Sequence, residues 1–323
     1  MKKDFETFYN EIDKEKINEV WNNSRKAIHE TNKKAVIIIL IANIVIIFAY
    51  IKLFSSAFNF KFFEFSIISC MYIIVPILII DLFIYIIIRA FNTKEYSAYN
   101  SVYKEKIIES LLNNFFDEVN YMPNSEMPES IYMEAKYNEY YEEYISDDYM
   151  KAVINNKTQI EMAEIETTKE ETVKDSDGNT HTETVTVFSG IFAKINIEKS
   201  INNEIKITYN YGVRAKEQLV MDSKEFEKYF DVASKDKILG MRLLTHDVME
   251  ILVELRKTLN KSFEIYIKEN KIYLRLDVGE MFEGRITKKD SIDECILKQY
   301  YDVLDCLYRL STEMIKVIEE IEI

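Results

Sequence analysis

Two polar side chains interrupt the two longest apolar stretches of the sequence. Asn43 lies eight residues into the stretch 35–51, and Asp81 lies eight residues before Arg89, which follows the stretch 66–88. At 1.5 Å per residue, an antiparallel pair of helices would bring both to one level, about 12 Å deep. A carboxyl group at that depth of a membrane is costly unless it is paired or protonated. The pair predicts a proton or ion site, or an interhelical hydrogen bond that locks the hairpin or an oligomer. Two spans are too few to enclose a pathway, which favours the hydrogen bond.

Other chemistry-bearing residues are scattered. The three histidines, His29, His181 and His246, are far apart in sequence, and no CxxC pair, Walker loop, GxGxxG, GxSxG or HExxH is present. Cys295 and Cys306 are eleven residues apart on a predicted helix, about 16 Å, which is too far for a disulfide. We therefore expect no catalytic residue, no metal site and no cofactor, and we expect a non-enzymatic protein in a reducing compartment.

Acidic residues offer two further candidates. The segment from Asp175 to Asn179 alternates oxygen-bearing side chains, but its glycine and the residue at the last ligand position do not fit a calcium loop. The glutamates at 161, 164, 166, 170 and 171 read as a solvated strand face. Residues 92–323 hold 30 basic and 46 acidic side chains, which excludes nucleic acid as a partner.

The apolar stretches predict a transmembrane hairpin in a lipid bilayer. We place the spans at 35–54 and 66–88, close to the 20 residues that a bilayer needs. An aromatic loop at 53–65 joins them. Eight Lys and Arg residues flank the termini side, against two on the loop side. The positive-inside rule then predicts a two-pass protein of the cell membrane with both termini in the cytoplasm.

Apolar spacing divides the rest of the chain. Residues 1–34 predict an amphipathic helix with a break between Ile12 and Ile17, and residues 35–91 are the hairpin. Residues 92–122 predict a juxtamembrane helix that Pro123 ends, and residues 123–289 predict a soluble α+β domain. The fold class is thus an α+β cytoplasmic domain of antiparallel hairpins and helices, attached to a two-span transmembrane hairpin.

Strand signals lie within the soluble domain. Residues 158–173 and 180–197 predict a long hairpin, residues 204–211 another strand, and residues 262–278 a second hairpin turning at Glu269-Asn270. Their alternation leaves one apolar face, which indicates a sheet covered by helices on one side. Asp222 or Ser223 can cap one helix, and Thr245 can cap the next.

The last segment, 290–323, predicts one long helix. Its apolar residues from Ile296 to Ile321 follow 4-3 spacing, which is a heptad seam. The seam at 296–321 predicts a protein partner or a homo-oligomer through a coiled coil, and intrachain antiparallel packing is the alternative that the same spacing allows.

Three groups of residues resemble an uncharacterised family of bacterial two-span membrane proteins. The first is a Phe-x-Gly-x-Phe box at Phe188, Gly190 and Phe192. The second is a Phe-Glu-x-x-Phe-x-Val-x-Ser-x-Asp stretch, and the third is a helix with Leu244, Thr245 and Met249. The second stretch comprises Phe226, Glu227, Phe230, Val232, Ser234 and Asp236. The resemblance implies structural roles for these residues and a cytoplasmic α+β domain behind a hairpin, and it supplies no activity.

The sequence therefore favours a membrane-anchored cytoplasmic interaction or scaffold module. The alternatives are an enzyme or small-ligand binder at the membrane face, and a transport or channel subunit that uses Asp81. A pocket with converging polar groups would favour the first alternative.

Overall fold

The computed structural model describes residues 2–57, 67–137, 139–174, 180–210, 212, 218–284, 286 and 290–321. These residues form two units. The helical unit holds residues 13–103 and 284–292, and the α+β unit holds residues 1–12, 104–283 and 293–323. The predicted tip at 175–179 and most of the predicted aromatic loop lie outside the described residues.

Two long helices make up the helical unit. They are α2 (Glu15–Ala57) and α3 (Ile67–Tyr103). Asn92 donates to Asn32 at 3.1 Å, and Asn43 donates to Asp81 at 3.5 Å. Because the residue number rises along α2 as it falls along α3, the two helices are antiparallel. Both are long and apolar enough to cross a membrane by length and composition. Most of the apolar side chains in the segments 36–48 and 74–87 are exposed.

A short helix precedes this pair. Helix α1 (Phe5–Glu11) belongs to the α+β unit, and Asp4 caps it by accepting from the Thr7 backbone N–H. The predicted break in the N-terminal helix is therefore confirmed, since α1 ends at Glu11 and α2 begins at Glu15.

The α+β unit is built on a seven-stranded sheet in which all pairs are antiparallel. Its order is β1-β2-β3-β4-β6-β5, and β7 pairs with β4. The 30-residue β4 is the central strand because it pairs with β3, β6 and β7. The strands are β1 (Asp117–Met122), β2 (Glu143–Ile154), β3 (Thr158–Lys174), β4 (Thr180–Tyr209), β5 (Gln218–Leu219), β6 (Phe230–Ser234) and β7 (Phe263–Leu276).

Helices connect and cover these strands. A π-helix (Lys104–Ile108) leads into α4 (Glu109–Phe115), and α5 (Glu129–Glu134) precedes β2. Then come α6 (Lys224–Tyr229), α7 (Lys237–Leu243), α8 (His246–Leu259) and α9 (Glu294–Glu320). Ser223, Asp236, Thr245 and Asp293 cap these four by accepting from backbone N–H groups, as N-cap residues do. The predicted caps at Ser223 and Thr245 are thus confirmed.

Apolar side chains are buried on both faces of the central strands, so the prediction of one apolar face was too simple. Ile205, Ile207, Ile265 and Ile267 face one side, where α9 packs against β4. The opposite side holds an aromatic cluster around Tyr132 of α5, with Phe188, Phe192, Tyr266 and Tyr273.

Three predicted elements differ from the structure. The helix predicted to reach residue 122 ends at Phe115, because residues 117–122 pair with β2 as a strand and tertiary pairing overrides helical spacing. The separate strands predicted at 180–197 and 204–211 are one strand, β4. Strand β6 and helix α7, at residues 230–243, were not predicted.

The predicted second hairpin at 262–278 is wrong. Strand β7 runs unbroken from Phe263 to Leu276, and both of its halves pair with β4. Glu269 has a φ of +54° at a place where the β4–β7 register shifts. The polar dipeptide after Lys268 therefore marks a β-bulge rather than a turn.

The heptad residues of α9 lie inside the α+β unit. Tyr300, Val303, Leu307, Leu310 and Met314 are buried, and α9 packs against α4, α7, α8 and β4. A coiled coil between copies through this seam would require α9 to leave these neighbours. Association through the seam stays a prediction.

Candidate functional site

Six ionisable side chains meet beside the first three strands of the α+β unit. Lysine opens the π-helix, tyrosine comes from β1, two aspartates come from β2, and glutamates come from β3 and from the segment after β7. We call them the Lys104 cluster: Lys104, Tyr121, Asp147, Asp148, Glu164 and Glu283.

These side chains are oriented by irregularities in the backbone. The β2–β3 register shifts between Asp147 and Met150, and Asp148 takes a φ of +54° there. The β1–β2 register shifts beside Glu118, whose φ is +49°, and Phe282 before Glu283 has a φ of +45°. Lys104 itself begins a π-helix. β-bulges and short π-helices change the direction of side chains, and strained backbone of this kind is concentrated at functional sites.

The lysine ammonium is the centre of the cluster. Lys104 Nζ lies 2.6 Å from Asp148 Oδ2, 2.5 Å from Glu283 Oε1 and 3.7 Å from Asp147 Oδ2. Its side chain is 6% exposed, and that of Asp148 is 0% exposed. The Tyr121 hydroxyl donates to Asp148 Oδ1, so both carboxylate oxygens of the buried aspartate have a partner.

Glu164 completes the cluster from β3, where it pairs across the strands with Asp147. Its Oε1 accepts a hydrogen bond of 2.9 Å from the Met281 backbone N–H, and the residue is buried. This location corrects the interpretation of the glutamate run as a solvated strand face. Glu166, Glu170 and Glu171 are exposed, but Glu164 is not.

Burial sets the protonation states. Burial, followed by the nearby charges of Asp148 and Asp147, raises the pKa of Glu164 to about 9. Burial raises the pKa of Asp148 to about 6, and the positive charge of Lys104 opposes that rise. Burial lowers the pKa of Lys104, but Asp148 and Glu283 raise it by more, so the net shift is upward. At neutral pH the cluster therefore holds a charged lysine, an ionised Asp148 and a protonated Glu164.

The cluster has two chemical capacities. Oxygen atoms of Asp147, Asp148 and Glu164 lie within 4.8 Å of one another, as hard-cation ligands do. The Lys104 ammonium lies against two of these carboxylates and supplies the positive charge that they need. Because a proton on Glu164 and the charge of Asp148 are coupled, the cluster also responds to pH.

A second polar assembly lies at the edge of the aromatic cluster. The Arg275 guanidinium is buried 4.3 Å from the Phe188 ring centre and 5.0 Å from that of Tyr137, with Nη2 2.6 Å from Glu139. Beside it is a pocket of about 200 Å³. The pocket is lined by Tyr137, Glu139, Lys206, Thr208, Glu264, Ile265 and Tyr266.

The two polar residues predicted within the apolar stretches lie together. Asn43 Nδ2 is 3.5 Å from Asp81 Oδ2, which is at the long limit of a hydrogen bond. Asn43 Oδ1 and Asp81 Oδ1 are enclosed without a hydrogen-bond partner among the described residues.

The family-box residues occupy packing and capping positions. Phe188 and Phe192 contact the Tyr132 ring at 6.3 and 5.2 Å between centroids, and the Phe226 and Phe230 rings are 5.0 Å apart. Three further box residues are polar or glycine. Gly190 lies against the β7 backbone, Glu227 accepts a hydrogen bond of 2.7 Å from the Met221 N–H, and Asp236 caps α7.

Sequence reasoning missed the Lys104 cluster. Lys104 lies among buried apolar residues, between Tyr103 and Ile107, and a lysine inside an apolar stripe was the available signal. The adjacent aspartates, Asp147 and Asp148, directly precede the apolar residues Tyr149 and Met150 of β2 and were a second signal. Nothing in the sequence placed Glu283 or Tyr121 beside them.

Comparisons with known proteins find one family model that matches part of the chain. Curated proteins give no match. The crystal structure of the mycobacterial trehalose monomycolate transport factor A, TtfA, aligns over 58% of this chain and 88% of its own, at 11% identity and a TM-score of 0.29. A TM-score that low supports no conclusion about this chain. Residues 186–316, from within β4 to within α9, match the family model described as a protein of unknown function, DUF3137.

Proposed function

We propose that this protein is a membrane-anchored interaction module. In this proposal α2 and α3 cross a bilayer as a hairpin, and the α+β unit binds a protein partner on the cytoplasmic side. The support begins with the helices, which expose large apolar side chains along the segments 36–48 and 74–87. Apolar surface of that extent needs a lipid or protein environment.

The observation that carries the proposal is the contact between the two ends of the chain. The Phe5 and Phe8 rings of α1 lie 5.5 and 6.4 Å from the Tyr301 ring of α9. The Tyr301 hydroxyl donates to the Lys3 carbonyl at 2.8 Å. Because α1 precedes the first apolar stretch and α9 follows the second, any crossings of a membrane by the chain between them must be even in number. Two spans meet that condition, and one span does not.

The distribution of Lys and Arg residues supports one side of the membrane for the α+β unit. Eight Lys and Arg residues lie near the outer ends of the two stretches, and Lys52 and Lys61 lie between them. The positive-inside rule therefore supports a cytoplasmic α+β unit.

The Lys104 cluster supplies a mechanical role in this arrangement. Lys104 is the residue that directly follows α3, and its ammonium is bound by carboxylates from β2 and from the segment after β7. The cluster fixes the start of the α+β unit to its own sheet.

Thiol labelling tests the topology. Cys295 is exposed near the start of α9, whereas Cys306 is buried. In a Cys70→Ala, Cys306→Ala background, we expect a membrane-impermeant maleimide to label Cys295 only after cells are opened. The comparison variant replaces Cys295 with Ala and Asn59 with Cys, within the predicted outer loop, and we expect it to be labelled in intact cells. Labelling of Cys295 in intact cells, or release of the chain by alkaline carbonate, would refute the anchor or its orientation.

The 200 Å³ pocket favours a second candidate function, binding of a small ligand. Its lining combines two aromatic rings with Glu139, Glu264 and Lys206, which is the convergence of polar groups that such a site requires. Burial raises the pKa of Glu264. A screen of small zwitterions by thermal shift tests this candidate, with Lys206→Met as the variant that should lose any response.

A further inference from the structure

The α+β unit carries a groove along α8 whose lining is unlike the rest of its surface. One part, of about 440 Å³, lies between the β5–α6 connection, α7 and the start of α8. A second part, of about 350 Å³, continues along α8 to Thr258. Because Ser223, His246 and Met249 line both parts, they form one continuous groove, which we call the α8 groove.

The floor of the α8 groove is apolar and rich in methionine. Met221, Met241 and Met249 line it with Leu244 and Val253. Methionine side chains are flexible and polarisable, and they adapt to varied apolar partners. Eight large apolar side chains are exposed outside the apolar stretches among the described residues, and three of them, Val220, Ile238 and Met241, lie on or beside this groove. Such clustering on a soluble surface marks an interaction site.

The walls of the groove are acidic. Its lining includes Asp222, Glu225, Glu250 and Glu254, against one basic residue, Lys257. Lys257 pairs with Glu225 at 2.6 Å, and Glu254 binds Arg309. Asp222 and Glu250 form no ion pair within the described part of the chain, and Arg309, which binds Glu254, also lies close enough to Glu250 to interact with its charge.

We propose that the α8 groove binds an amphipathic helix with a basic face, supplied by a protein partner. The apolar side of that helix would contact the methionine floor, and its Lys or Arg residues would meet Asp222 and Glu250. The groove follows α8 from His246 to Thr258, about 18 Å, which matches three turns of a bound helix. This inference rests on the proposed interaction function and names the class of partner.

The test uses a designed probe with the full chain in nanodiscs of zwitterionic lipid. The probe is a fluorescent peptide of about 16 residues, with Leu at helical spacing and Lys on the other face. One comparison peptide has the same composition in scrambled order, and another has Glu in place of Lys. Fluorescence anisotropy measures binding, and empty nanodiscs give the lipid background. We expect the probe to bind at least tenfold more tightly than either comparison peptide.

Variants locate the binding. Met241→Glu and Ile238→Glu should each weaken the probe at least tenfold, since both side chains are exposed and tolerate charge without loss of the core. Asp222→Lys with Glu250→Lys should weaken it at least fivefold at low salt and less at high salt. Met133→Glu, an equally exposed methionine on α5, is the matched control and should change nothing.

Equal binding of the scrambled or acidic peptide would overturn the inference, as would unchanged binding by Met241→Glu. These results are distinct from failure of the proposed function. If Cys295 is labelled in intact cells, the cytoplasmic anchor fails although the groove can still bind the probe. If the topology holds and the probe ignores the groove, only the partner class fails.

Discussion

A lysine ammonium with almost no exposure needs counter-charges at hydrogen-bond distance, and Lys104 has them on β2 and after β7. A buried pair of this kind adds little stability over an apolar substitute for both partners. Removing one partner is different, because the remaining charge stays buried without compensation.

Lys104→Met should therefore lower the free energy of unfolding by about 3–5 kcal/mol, since Asp148 would be left without its main partner. Urea denaturation of the detergent-solubilised chain measures the change. Lys106→Met is the matched control in the same π-helix, because its side chain is 40% exposed and pairs only with Glu105 among the described residues. It should cost less than about 1 kcal/mol. Equal effects of the two variants would show that the cluster does not stabilise the unit.

Glu164 predicts the pH dependence of stability. Its pKa is raised from the usual value near 4.5 to about 9, so the folded chain holds a proton that the unfolded chain has lost between those values. Stability from this group is complete below pH 4.5 and is lost as the pH rises through 9, by up to about 1.4 kcal/mol per pH unit. The pKa of Asp148 is also raised, to about 6, so its contribution to stability likewise falls as the pH rises, over a lower pH range.

Glu164→Gln should flatten the stability profile between pH 6.5 and 9, because the amide mimics the protonated acid and does not titrate. Thermal unfolding across that range is the measurement. Glu166→Gln, two residues along the same strand and exposed, should keep the wild-type slope. A wild-type stability that rises toward pH 9 would contradict the assignment.

The sequence predicts the role of a residue when its interaction partners are close to it along the chain. Ser223 and Thr245 were predicted as caps because a cap acts three residues away. Asn43 and Asp81 could be placed at one level because helical rise is constant. Glu164 could not be distinguished from its exposed neighbours, since its burial depends on Lys104 and Met281, far away in sequence.

At the scale of elements, strand β4 and the end of strand β7 meet at a glycine. Gly190 of β4 has a φ of +155°, and a Cβ there would lie 2.7 Å from the Val278 backbone N and closer still to the Leu276 carbonyl oxygen. Both are backbone atoms at the end of β7 and cannot turn aside as a side chain would. The position explains the glycine between Phe188 and Phe192, whose rings pack against Tyr132.

Gly190→Ala should lower the free energy of unfolding by at least about 3 kcal/mol, because β7 would have to separate from β4. Gly212→Ala is the control, since its φ is +76° but no atom of the described residues, chain neighbours aside, lies within 4 Å of its added Cβ. It should cost only about 1 kcal/mol from backbone strain. Equal stability losses would show that conformation, rather than close approach to β7, requires glycine at 190.

The sequence predicted helix or strand correctly where the apolar spacing was regular over a long segment. The apolar stretches, α8 and α9 are examples, with α9 found at Glu294–Glu320. Strand β1 was missed because Val119 fits a helical stripe, and only pairing with β2 decides between the two structures. The dipeptide at Glu269 has the composition of a turn. It is identified as a bulge only because the residues on both sides of it pair with the same strand, β4.

At the scale of the whole chain, the first and last helices belong to one unit although the apolar stretches separate them in sequence. Lys3 binds Asn114 through two hydrogen bonds of 2.9 and 3.1 Å, and Tyr301 contacts Phe5 and Phe8 of α1. The helix that precedes the first stretch is therefore part of the core of the α+β unit.

Phe5→Asp should detach α1, because Phe5 is buried against Tyr301 and a carboxylate there would lose its hydration. Limited proteolysis of the detergent-solubilised chain should then cut within residues 1–14 faster than in the wild type. Glu6→Gln, an exposed neighbour on α1, should leave the cutting rate unchanged. Equal protection of the Phe5→Asp chain would refute the docking of α1.

The same contact sets a waiting time during synthesis. Roughly 300 residues separate Phe5 from Tyr301, and ribosomes add about 5–20 residues per second. Phe5 and Phe8 thus leave the ribosome on the order of 15–60 s before their binding surface on α9 exists. Throughout that interval two phenyl rings stay without their binding surface on the nascent chain while both apolar stretches are made, so α1 docks only after almost the whole chain has been synthesised.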